Sequence, residues 1–255
     1  MSHTAGEFGI TPETYDALVD WPRRLANEEP FYRDLFAQVG ARRVLDAACG
    51  TGRHAAWFHS WGLAVEGADL DARMIEYCRR QRGESETLRW VRRSYEEPAE
   101  AGAFDAVLCV GNSLALADDP GGIGRTLAAL LKALRPGGVC VVQVLNVWRL
   151  PDGPTQWQKC KRIAPDTPDA IARLIIKGVH RAGQVALIDL IDVRIGRNEV
   201  TCQSHGGRFL GIRAADLRRA AIGGGATGVR FYGSFAREPY DETTSPDLIL
   251  VCQRA

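Results

Sequence analysis

Short apolar runs alternate with longer amphipathic stretches through the first 150 residues of the chain. The apolar runs have the length of buried strands, and the stretches between them repeat apolar side chains at helical spacing. Apolar strands separated by helices are typical of a parallel sheet that is covered on both faces. The predicted strands are residues 43–47, 64–68, 87–91, 104–110 and 139–145, and the predicted helices between them are 53–61, 71–82 and 123–134.

The region ahead of the first strand predicts two further helices. Pro12 suits the first position of a helix, and Pro22 is expected to end that helix. A second helix is predicted from about residue 31 to residue 39. Residues 1–10 are expected to be mobile, and residues 1–40 together are interpreted as a helical cap over a bound ligand.

After residue 150 the pattern changes from alternating strands and helices to β-like runs alone. Irregular chain that includes Pro165 and Pro168 precedes these runs, and turn signals separate them. We interpret residues 151–206 as an antiparallel insertion that forms a lid on a core made of residues 41–150 and 207–255. The β-like runs are residues 171–179, 185–195 and 199–204, and the core closes with a helix at 213–222 and strands at 229–235 and 248–253.

Composition argues against several functional classes. The 255 residues include 32 basic and 31 acidic ones, a formal net charge of +1, which is unlike a general nucleic-acid binder. No apolar run has the length of a transmembrane helix, and the N-terminus lacks the basic and apolar regions of a secretory signal. The seven cysteines are scattered, so reduced thiols in a cytoplasmic protein are expected and a zinc site is not.

Residues 44–55, which read VLDAACGTGRHA, concentrate the chemistry of the chain. A buried strand runs into a turn with Gly50 and Gly52 and then into a helix, which brings backbone N–H groups close to a nucleotide-like ligand. Glycine is needed where φ is positive or where a Cβ atom would strike the ligand. Asp46 lies four residues before the first glycine and Asp69 nineteen residues after it, which makes the pattern specific.

Two classes of ligand use such a loop. Gly50-x-Gly52-x-x-Ala55 with Asp69 downstream matches the dinucleotide fingerprint, but S-adenosylmethionine carries the same ribose diol for the acid to bind. Over the glycines, a dinucleotide places a pyrophosphate, which Asp46 would repel, whereas S-adenosylmethionine places an ammonium and a sulfonium. A charge pair about 4 Å apart is worth on the order of 4 kcal/mol at an effective dielectric constant of about 20. The sign of Asp46 therefore favours S-adenosylmethionine, and a turn-capping carboxylate is the alternative role for this residue.

With these residues the chain resembles the class I S-adenosylmethionine-dependent methyltransferases, and within them the glycine and sarcosine N-methyltransferase-like branch. The resemblance implies an α/β fold with a Rossmann-like seven-stranded sheet in the order 3-2-1-4-5-7-6. Strand seven is expected to be antiparallel, with an antiparallel β insertion after strand five and a ligand cleft between strands one and four. The matching stretches are VLDAACGTGRHA, the turn at 69–74, FDAVLCVGNSLA (104–115), LRPGG (134–138) and VRFYGSF (229–235).

The resemblance also implies which residues hold the cofactor. N-terminal aromatic side chains would close over it, Arg24 would pair with its methionine carboxylate, and Asp69 would bind its ribose. Ser94 and Tyr95, after strand three, would hold the adenine. The implied cofactor-binding residues are Tyr15, Trp21, Arg24, Asp46, Ala48, Gly50, Asp69, Leu70, Ser94, Tyr95 and Val110, and no metal is implied.

The acceptor side is less well defined. Glycine-methylating relatives carry an arginine at the end of strand five, where this chain has Leu145, which argues against glycine as the substrate. The predicted function is methyl transfer to a small molecule, at an amine nitrogen, by holding nucleophile and methyl group in line. The acceptor-side candidates are Asn112, Asn146, His205, Arg208 and Tyr232.

Other functions stay open at this point. An O-methyltransferase would need a general base, and no Ser/His/Asp or Cys/His arrangement stands out; His54 is interpreted as a packing residue. An NAD-dependent oxidoreductase and a non-catalytic cofactor-binding protein are further alternatives. The expected partner is a small-molecule acceptor, with no nucleic acid or membrane, and a homo-oligomer is compatible with the sequence.

Overall fold

A computed structural model of the chain describes residues 10–117, 119–164 and 170–255. Residues 1–9 of the segment expected to be mobile, and both Pro165 and Pro168, lie outside these ranges. Within them the chain forms a sheet of seven strands, a sheet of four strands and six α-helices.

The seven-stranded sheet is the centre of the core. Its order is β3-β2-β1-β4-β5-β11-β10, and β11 runs antiparallel to both of its neighbours. Numbered by themselves, these seven strands have the predicted order 3-2-1-4-5-7-6. The strands are β1 Arg43–Asp46, β2 Ala64–Asp69, β3 Leu88–Arg92, β4 Phe104–Cys109, β5 Leu134–Leu145, β10 Ala226–Tyr232 and β11 Asp247–Arg254.

Helices cover both faces of this sheet. Along β4, Ala106 and Leu108 belong to an apolar cluster with aromatic residues of α2 and α3, whereas Val107 and Cys109 belong to a second cluster with α5. This alternation is the period of two that a strand buried on both faces requires. The helices are α1 Pro12–Leu18, α2 Trp21–Val39, α3 Arg53–His59, α4 Ala72–Arg82, α5 Pro120–Ala133 and α6 Ala214–Gly223.

The second helix begins at Trp21, and the prediction of a start near residue 31 is wrong. Asp20 caps this helix by accepting the Arg23 N–H at 3.3 Å, and Pro22 lies in the first turn. A proline is tolerated there because the first N–H groups of a helix have no partner within it. Pro22 therefore begins one helix instead of interrupting another, and the helix continues through Pro30.

The stretch after β5 forms the four-stranded antiparallel sheet, here called the insertion sheet. The sequence does not predict its first strand, because QWQKCKRI has no apolar run, and its last strand extends past residue 206. On its inner face Ile188, Leu190 and Phe209 join the apolar cluster of α5. Its strands are β6 Gln156–Ile163, β7 Ala170–Ala182, β8 Val185–Gly196 and β9 Val200–Leu210.

A buried ion pair connects the insertion sheet to α1. Arg173 on β7 and Asp192 on β8 are only 5% and 4% exposed, and two hydrogen bonds of 2.9 and 2.6 Å join them. Arg173 Nη2 also donates to Thr14 Oγ1 on α1 at 2.8 Å. The N-terminal helix is thus fixed to the insertion sheet through charged groups that are withdrawn from water.

Gly67 in β2 makes room for the buried ring of Trp90, and its substitution provides a test of the packing. A Cβ atom at Gly67 would lie 2.5 Å from Trp90 Cζ3, a contact that requires the ring to move. Trp90 is 2% exposed and its indole N–H donates to Gly83 O at 2.6 Å, so the ring is held in place. We expect Gly67→Ala to lower the free energy of unfolding, measured in urea, by about 1–3 kcal/mol.

Gly124 provides the matched control. It lies inside α5, and a Cβ atom there would meet nothing within 4 Å. Gly124→Ala is expected to stabilise the helix by about 0.5–1 kcal/mol. Equal stability of Gly67→Ala and the unmodified protein would contradict the overpacking argument.

Candidate active site

The carboxyl ends of β1, β2, β4 and β5 meet at one edge of the seven-stranded sheet, and the strand order reverses between β1 and β4. Such a reversal creates a crevice at this edge of a parallel sheet. Because β11 runs the other way, its first residue, Asp247, reaches the same edge and lies opposite Leu145. Groups from both ends of the chain are therefore brought to one crevice.

The glycine turn after β1 has the backbone that the sequence predicts. Gly50 and Gly52 have φ values of 52° and 73°, in the region that favours glycine. A Cβ atom at Gly52 would lie 2.7 Å from Trp90 Cη2, so this position also has no space for a side chain. Asp69, at the end of β2, accepts the N–H of Gly50 at 2.8 Å and that of Asp71 at 2.9 Å. The acid and the turn are thus held together.

Asp46, the last residue of β1, is a buried acid without a well-formed hydrogen bond among the described residues. It is 1% exposed, and neither carboxylate oxygen has a partner among the described residues. Burial raises the pKa of Asp46 to about 6; the charge of Asp69 adds to the rise, while the charges of His54 and Arg24 and the nearby N–H of Ala48 oppose it. A buried carboxylate without donors is costly, and a cation beside it would compensate that cost. The residues of the turn thus fit a positively charged ligand group.

Tyr15 of α1 lies over the glycine turn and the end of β4. Cβ atoms at Gly50 and Gly111 would lie 3.8 Å from Tyr15 Cε1 and 3.9 Å from Tyr15 Oη. Burial is the main cause that raises the pKa of the Tyr15 hydroxyl. The N-terminal region therefore covers the crevice at the position where the sequence predicts a covering aromatic residue.

Arg24 lines the same crevice, whereas Trp21 packs behind it. Arg24 Nε is 2.7 Å from Glu28 Oε1, and its guanidinium lies 5.3 Å from the centre of the Trp21 ring. Trp21 is 6% exposed, and its indole N–H donates to Asp16 O at 3.1 Å. Trp21 does not line the cavity that lies in this crevice.

Asp16, which sequence reasoning missed, fastens α1 to the glycine turn. Its carboxylate accepts Thr51 Oγ1 at 3.0 Å and Arg53 Nε at 2.8 Å, and it also bonds Tyr77 and Arg82. Burial acts to raise the pKa of Asp16, but the hydrogen bonds from Arg53 and Thr51 hold it below its usual value. An acid in the first predicted helix carries no sequence signal for these contacts, because its partners are at least 35 residues away.

Glu28 and His54 form a buried pair beneath the N-terminal cover. They are 3% and 5% exposed, and His54 Nε2 is 2.8 Å from Glu28 Oε2. Burial acts to raise the pKa of Glu28, and the contacts of His54 and Arg24 hold it below its usual value. His54 therefore packs in the interior, as the sequence indicates, but it also bonds an acid that the sequence does not identify.

A cavity of about 480 Å³ lies between the N-terminal helices, the sheet edge and the inner face of the insertion sheet. Its volume is within the range of small-molecule sites. The insertion sheet contributes three apolar residues together with the polar Gln158 and Lys177, and the sheet edge contributes polar groups. The lining residues are Ile10, Tyr15, Leu18, Val19, Arg24, Asn27, Glu28, Gly111, Asn112, Gln143, Gln158, Lys177, Ile188, Leu190, Phe209, Phe235 and Asp247.

Polar groups at the sheet edge of this cavity form a connected series. The Gly111 N–H donates to Gln143 Oε1 at 2.8 Å, and Gln143 Nε2 donates to Asp247 Oδ1 at 2.8 Å. Asn112, with a φ of 75°, accepts the Leu145 N–H through Oδ1 at 2.6 Å. Gln143 and Asp247 are 104 residues apart, which is why sequence reasoning missed both.

Of the acceptor-side candidates, Asn112 alone lines the cavity within the described part of the chain. Asn146 is 1% exposed and is used structurally, because its Nδ2 donates to Glu242 O and Ser245 O at 2.9 Å each. Tyr232 packs edge-on against Phe31 with ring centres 6.2 Å apart. The structure brings neither of these two residues into the cavity.

The two candidates on β9 lie on opposite faces of the insertion sheet. His205 pairs with Leu190, whose side chain is buried on the inner face, but His205 does not line the cavity. Arg208 pairs with Leu187, which is 36% exposed on the outer face. Because directly paired residues point to the same face, Arg208 lies on the face turned away from the cavity.

The predicted adenine residues lie on the far side of β1. Ser94 and Tyr95 line a small pocket together with Ala47, and Ser94 Oγ accepts the Glu96 N–H at 3.3 Å. Leu70 is 52% exposed at the tip of the loop after β2, while Val110 is 4% exposed at the end of β4. The predicted cofactor residues thus follow the carboxyl edge from β4 across β1 to β3.

Neither a metal site nor a membrane-spanning helix is found in the described ranges. No group of three or more His, Cys, Asp or Glu residues there is arranged to hold a metal ion. None of the helices in these ranges combines the length and apolar character needed to cross a membrane.

Part of the chain is similar in sequence to known methyltransferases. A family model described as a methyltransferase domain matches residues 44–138. A glycine/sarcosine N-methyltransferase of Halorhodospira halochloris is 32% identical over 142 residues, which are 52% of this chain and 51% of that protein. Glycine N-methyltransferase of Rattus norvegicus is 32% identical over 142 residues, 50% of this chain and 48% of that protein. The chain spans about half the length of the curated relatives it matches.

Solved structures extend the likeness in fold to the whole chain. The sugar N-methyltransferase KedS8 from Streptoalloteichus sp. has a TM-score of 0.76 and 20% identity, with 100% of this chain and 96% of that one covered. The amino pentose methyltransferase CalS10 from Micromonospora echinaspora, solved with S-adenosylmethionine bound, has a TM-score of 0.73 and 19% identity, with both chains covered completely. Residues 44–138 therefore match a methyltransferase domain, and the chain has the same fold as these two solved methyltransferases.

Proposed function

We propose that the chain is an S-adenosylmethionine-dependent methyltransferase that methylates an amine nitrogen of a small molecule. The observation that carries this proposal is Asp46, a carboxylate 1% exposed and without a well-formed hydrogen bond among the described residues, beside the glycine turn. An acid at this place suits a ligand with positive charge and opposes a pyrophosphate. S-adenosylmethionine has both the positive charge and the ribose that Asp69 would bind.

The residues at the sheet edge suit the parts of this cofactor. Asp69 would accept the ribose hydroxyls, the backbone at Ala48 and Gly50 would contact the methionine portion, and Arg24 would pair with its carboxylate. Ser94 and Tyr95 would hold the adenine. Bound there, the cofactor would supply an electrophilic methyl group: the acceptor nitrogen would form the new N–C bond as the sulfonium S–C bond breaks, and S-adenosylhomocysteine would be the leaving group.

The N-terminal helices and the insertion sheet would enclose the acceptor. Tyr15 covers the glycine turn from one side, and Ile188 and Phe209 of the insertion sheet form the opposite apolar wall. In this proposal the insertion sheet is a lid that excludes water and holds the acceptor against the end of β4. Orientation of this kind contributes up to roughly 7–11 kcal/mol to lowering a barrier, so a general base is not needed for a neutral amine.

The relatives support transfer to nitrogen. The curated ones act on glycine or sarcosine nitrogen by name, and KedS8 is a sugar N-methyltransferase. Their names differ in acceptor, so nitrogen is the feature that they share. We therefore propose an amine acceptor rather than a hydroxyl one.

Titration calorimetry with S-adenosylhomocysteine tests the proposed cofactor. One molecule is expected to bind per chain, and NADH is expected not to bind. Asp69→Ala is expected to weaken binding by about tenfold or more, because it removes hydrogen bonds from a charged acceptor worth about 1.5–3 kcal/mol each. Asp216→Ala, which changes an exposed acid on α6, is the matched control. Absence of binding at millimolar S-adenosylhomocysteine would refute the proposed function.

A further inference from the structure

Asp247 places a carboxyl group at the sheet edge of the main cavity. Gln143 Oε1 accepts the Gly111 N–H at 2.8 Å, so its amide nitrogen is the atom turned toward Asp247 Oδ1, also at 2.8 Å. Gln143 therefore acts as a donor to Asp247. Gly111 follows β4 and lies beneath Tyr15, so this series of bonds runs from the residues that Tyr15 covers to the acid.

The other acid in the cavity is already engaged. Glu28 bonds Arg24 at 2.7 Å through one oxygen and His54 at 2.8 Å through the other. Asp247, by contrast, lies opposite the apolar Leu145 in the strand register, and its described hydrogen bond to Gln143 uses one carboxylate oxygen. At the sheet edge, Asp247 is thus the acid positioned for a ligand cation.

We propose that Asp247 binds the amine nitrogen of the methyl acceptor, and that this acceptor carries no carboxylate group next to that nitrogen. An ammonium N–H donating to a carboxylate is among the stronger hydrogen bonds in proteins. A carboxylate one carbon away from the nitrogen would approach Asp247 and be repelled by it. The inference rests on the proposed methyl-transfer function and adds the chemical class of the acceptor to it.

The remaining walls indicate what the amine is attached to. Leu18, Ile188, Leu190 and Phe209 face the cavity from α1 and the insertion sheet, and the insertion sheet also contributes the polar Gln158 and Lys177. Apolar walls with a few polar groups at one end are typical of sites that orient a ligand by its polar end. The cavity of about 480 Å³ therefore suits an amine on a ring or similar body larger than a simple amino acid.

Asp247 also has a place for the proton that the nitrogen loses. Before attack, an ammonium N–H bond breaks, its electron pair stays on nitrogen and the proton passes to a carboxylate oxygen of Asp247. Burial is the main cause that raises the pKa of Asp247, with the hydrogen bond from Gln143 opposing the rise. Burial thus makes Asp247 a better proton acceptor than an acid in water.

Binding of matched amines to the protein saturated with S-adenosylhomocysteine tests the proposal. The probes are 2-phenylethylamine with phenylalanine, and cyclohexylamine with 1-aminocyclohexanecarboxylic acid, each pair differing by a carboxylate next to the nitrogen. Calorimetry is expected to show at least one of the amines binding about tenfold or more tighter than its carboxylated counterpart. Equal or tighter binding of both carboxylated probes, or no binding of either amine at about 10 mM, overturns the proposal.

The variant Asp247→Asn isolates the charge, because its side-chain oxygen still accepts from Gln143. It is expected to weaken amine binding about tenfold or more while leaving the affinity for S-adenosylhomocysteine within about twofold. Asp216→Asn, on the exposed face of α6, is expected to change neither. Unchanged amine affinity in Asp247→Asn contradicts the assignment, whereas a wild-type protein that does not bind S-adenosylhomocysteine contradicts the proposed function instead.

Discussion

Replacing Asp46 with asparagine is expected to stabilise the ligand-free protein by about 1–3 kcal/mol at pH 7.5 and to weaken its binding of S-adenosylhomocysteine by about tenfold or more. Burial raises the pKa of Asp46 from 3.8 to about 6. Each unit of such a shift corresponds to about 1.4 kcal/mol between the two protonation states. At neutral pH the folded protein thus holds a carboxylate that lowers its stability, and asparagine keeps the shape without the charge.

The stabilisation should appear within a defined pH window. Because the pKa of Asp46 is higher in the folded than in the unfolded chain, the unfolded chain releases this proton first as the pH rises from about 4 to about 6. The unmodified protein loses stability relative to Asp46→Asn across that interval, and the difference stays constant above it. Below about pH 4 both states are protonated and the difference between the two proteins should disappear.

Urea denaturation between pH 4 and 7.5, together with calorimetry of S-adenosylhomocysteine binding, measures both effects. In the unmodified protein, binding is expected to weaken below about pH 6, where Asp46 becomes protonated. Asp216→Asn is the control, since that exposed acid should affect neither quantity. A variant at Asp46 that is less stable than the unmodified protein at pH 7.5 would show that the carboxylate has favourable partners.

Asp192→Ala is expected to lower the free energy of unfolding by about 3–5 kcal/mol, because it leaves the buried guanidinium of Arg173 without its carboxylate. Arg173 is 5% exposed and bonds Asp192 twice, and Arg194 approaches the same carboxylate at 3.0 Å. Removing an acid that is buried together with its partner costs more folding stability than removing an acid at the surface. Asp216→Ala, which removes an exposed pair with Arg219, is expected to cost less than about 1 kcal/mol.

The double variant Arg173→Met with Asp192→Leu distinguishes the cost of leaving a buried charge unpaired from the loss of the interaction between the two charges. Apolar side chains of similar size are expected to recover most of the stability, since burying both charges has its own desolvation cost. Urea denaturation of the single and double variants gives the coupling between the two sites. A loss below about 1 kcal/mol in Asp192→Ala would contradict the assignment of this pair as buried and coupled.

The parallel sheet and the glycine turn were predictable because their signals are local. β4 and β5 contain continuous apolar runs at residues 106–109 and 139–142, and a turn with two glycines between a strand and a helix permits few conformations. Where local signals conflict, prediction fails. A proline such as Pro22 is compatible with the end of one helix and with the start of the next. The cap from Asp20 shows that Pro22 lies at a start.

The acceptor side was predictable to a lesser degree because contacts between distant segments create it. Gln143 is a polar residue in an apolar strand, a signal of unusual surroundings, but its partner Asp247 is identified through the pairing of β5 with β11. Asn146 shows the opposite case. Its position after β5 predicts a site residue, but its side-chain amide donates hydrogen bonds to the backbone carbonyls of residues 242 and 245.

The walls of the main cavity have a consequence for how such proteins diverge. Of its lining residues in the described part of the chain, Gly111 and Asn112 alone come from the stretch 44–138 that matches the methyltransferase domain. The others come from the N-terminal region, the end of β5, the insertion sheet and the chain from residue 235 onward. Residues 44–138, which contain the proposed cofactor-binding residues from Asp46 to Val110, therefore place little constraint on the sequence of the other cavity walls. Under the proposed function, a lineage would exchange one amine acceptor for another through substitutions outside residues 44–138, and its similarity to methyltransferases would stay intact.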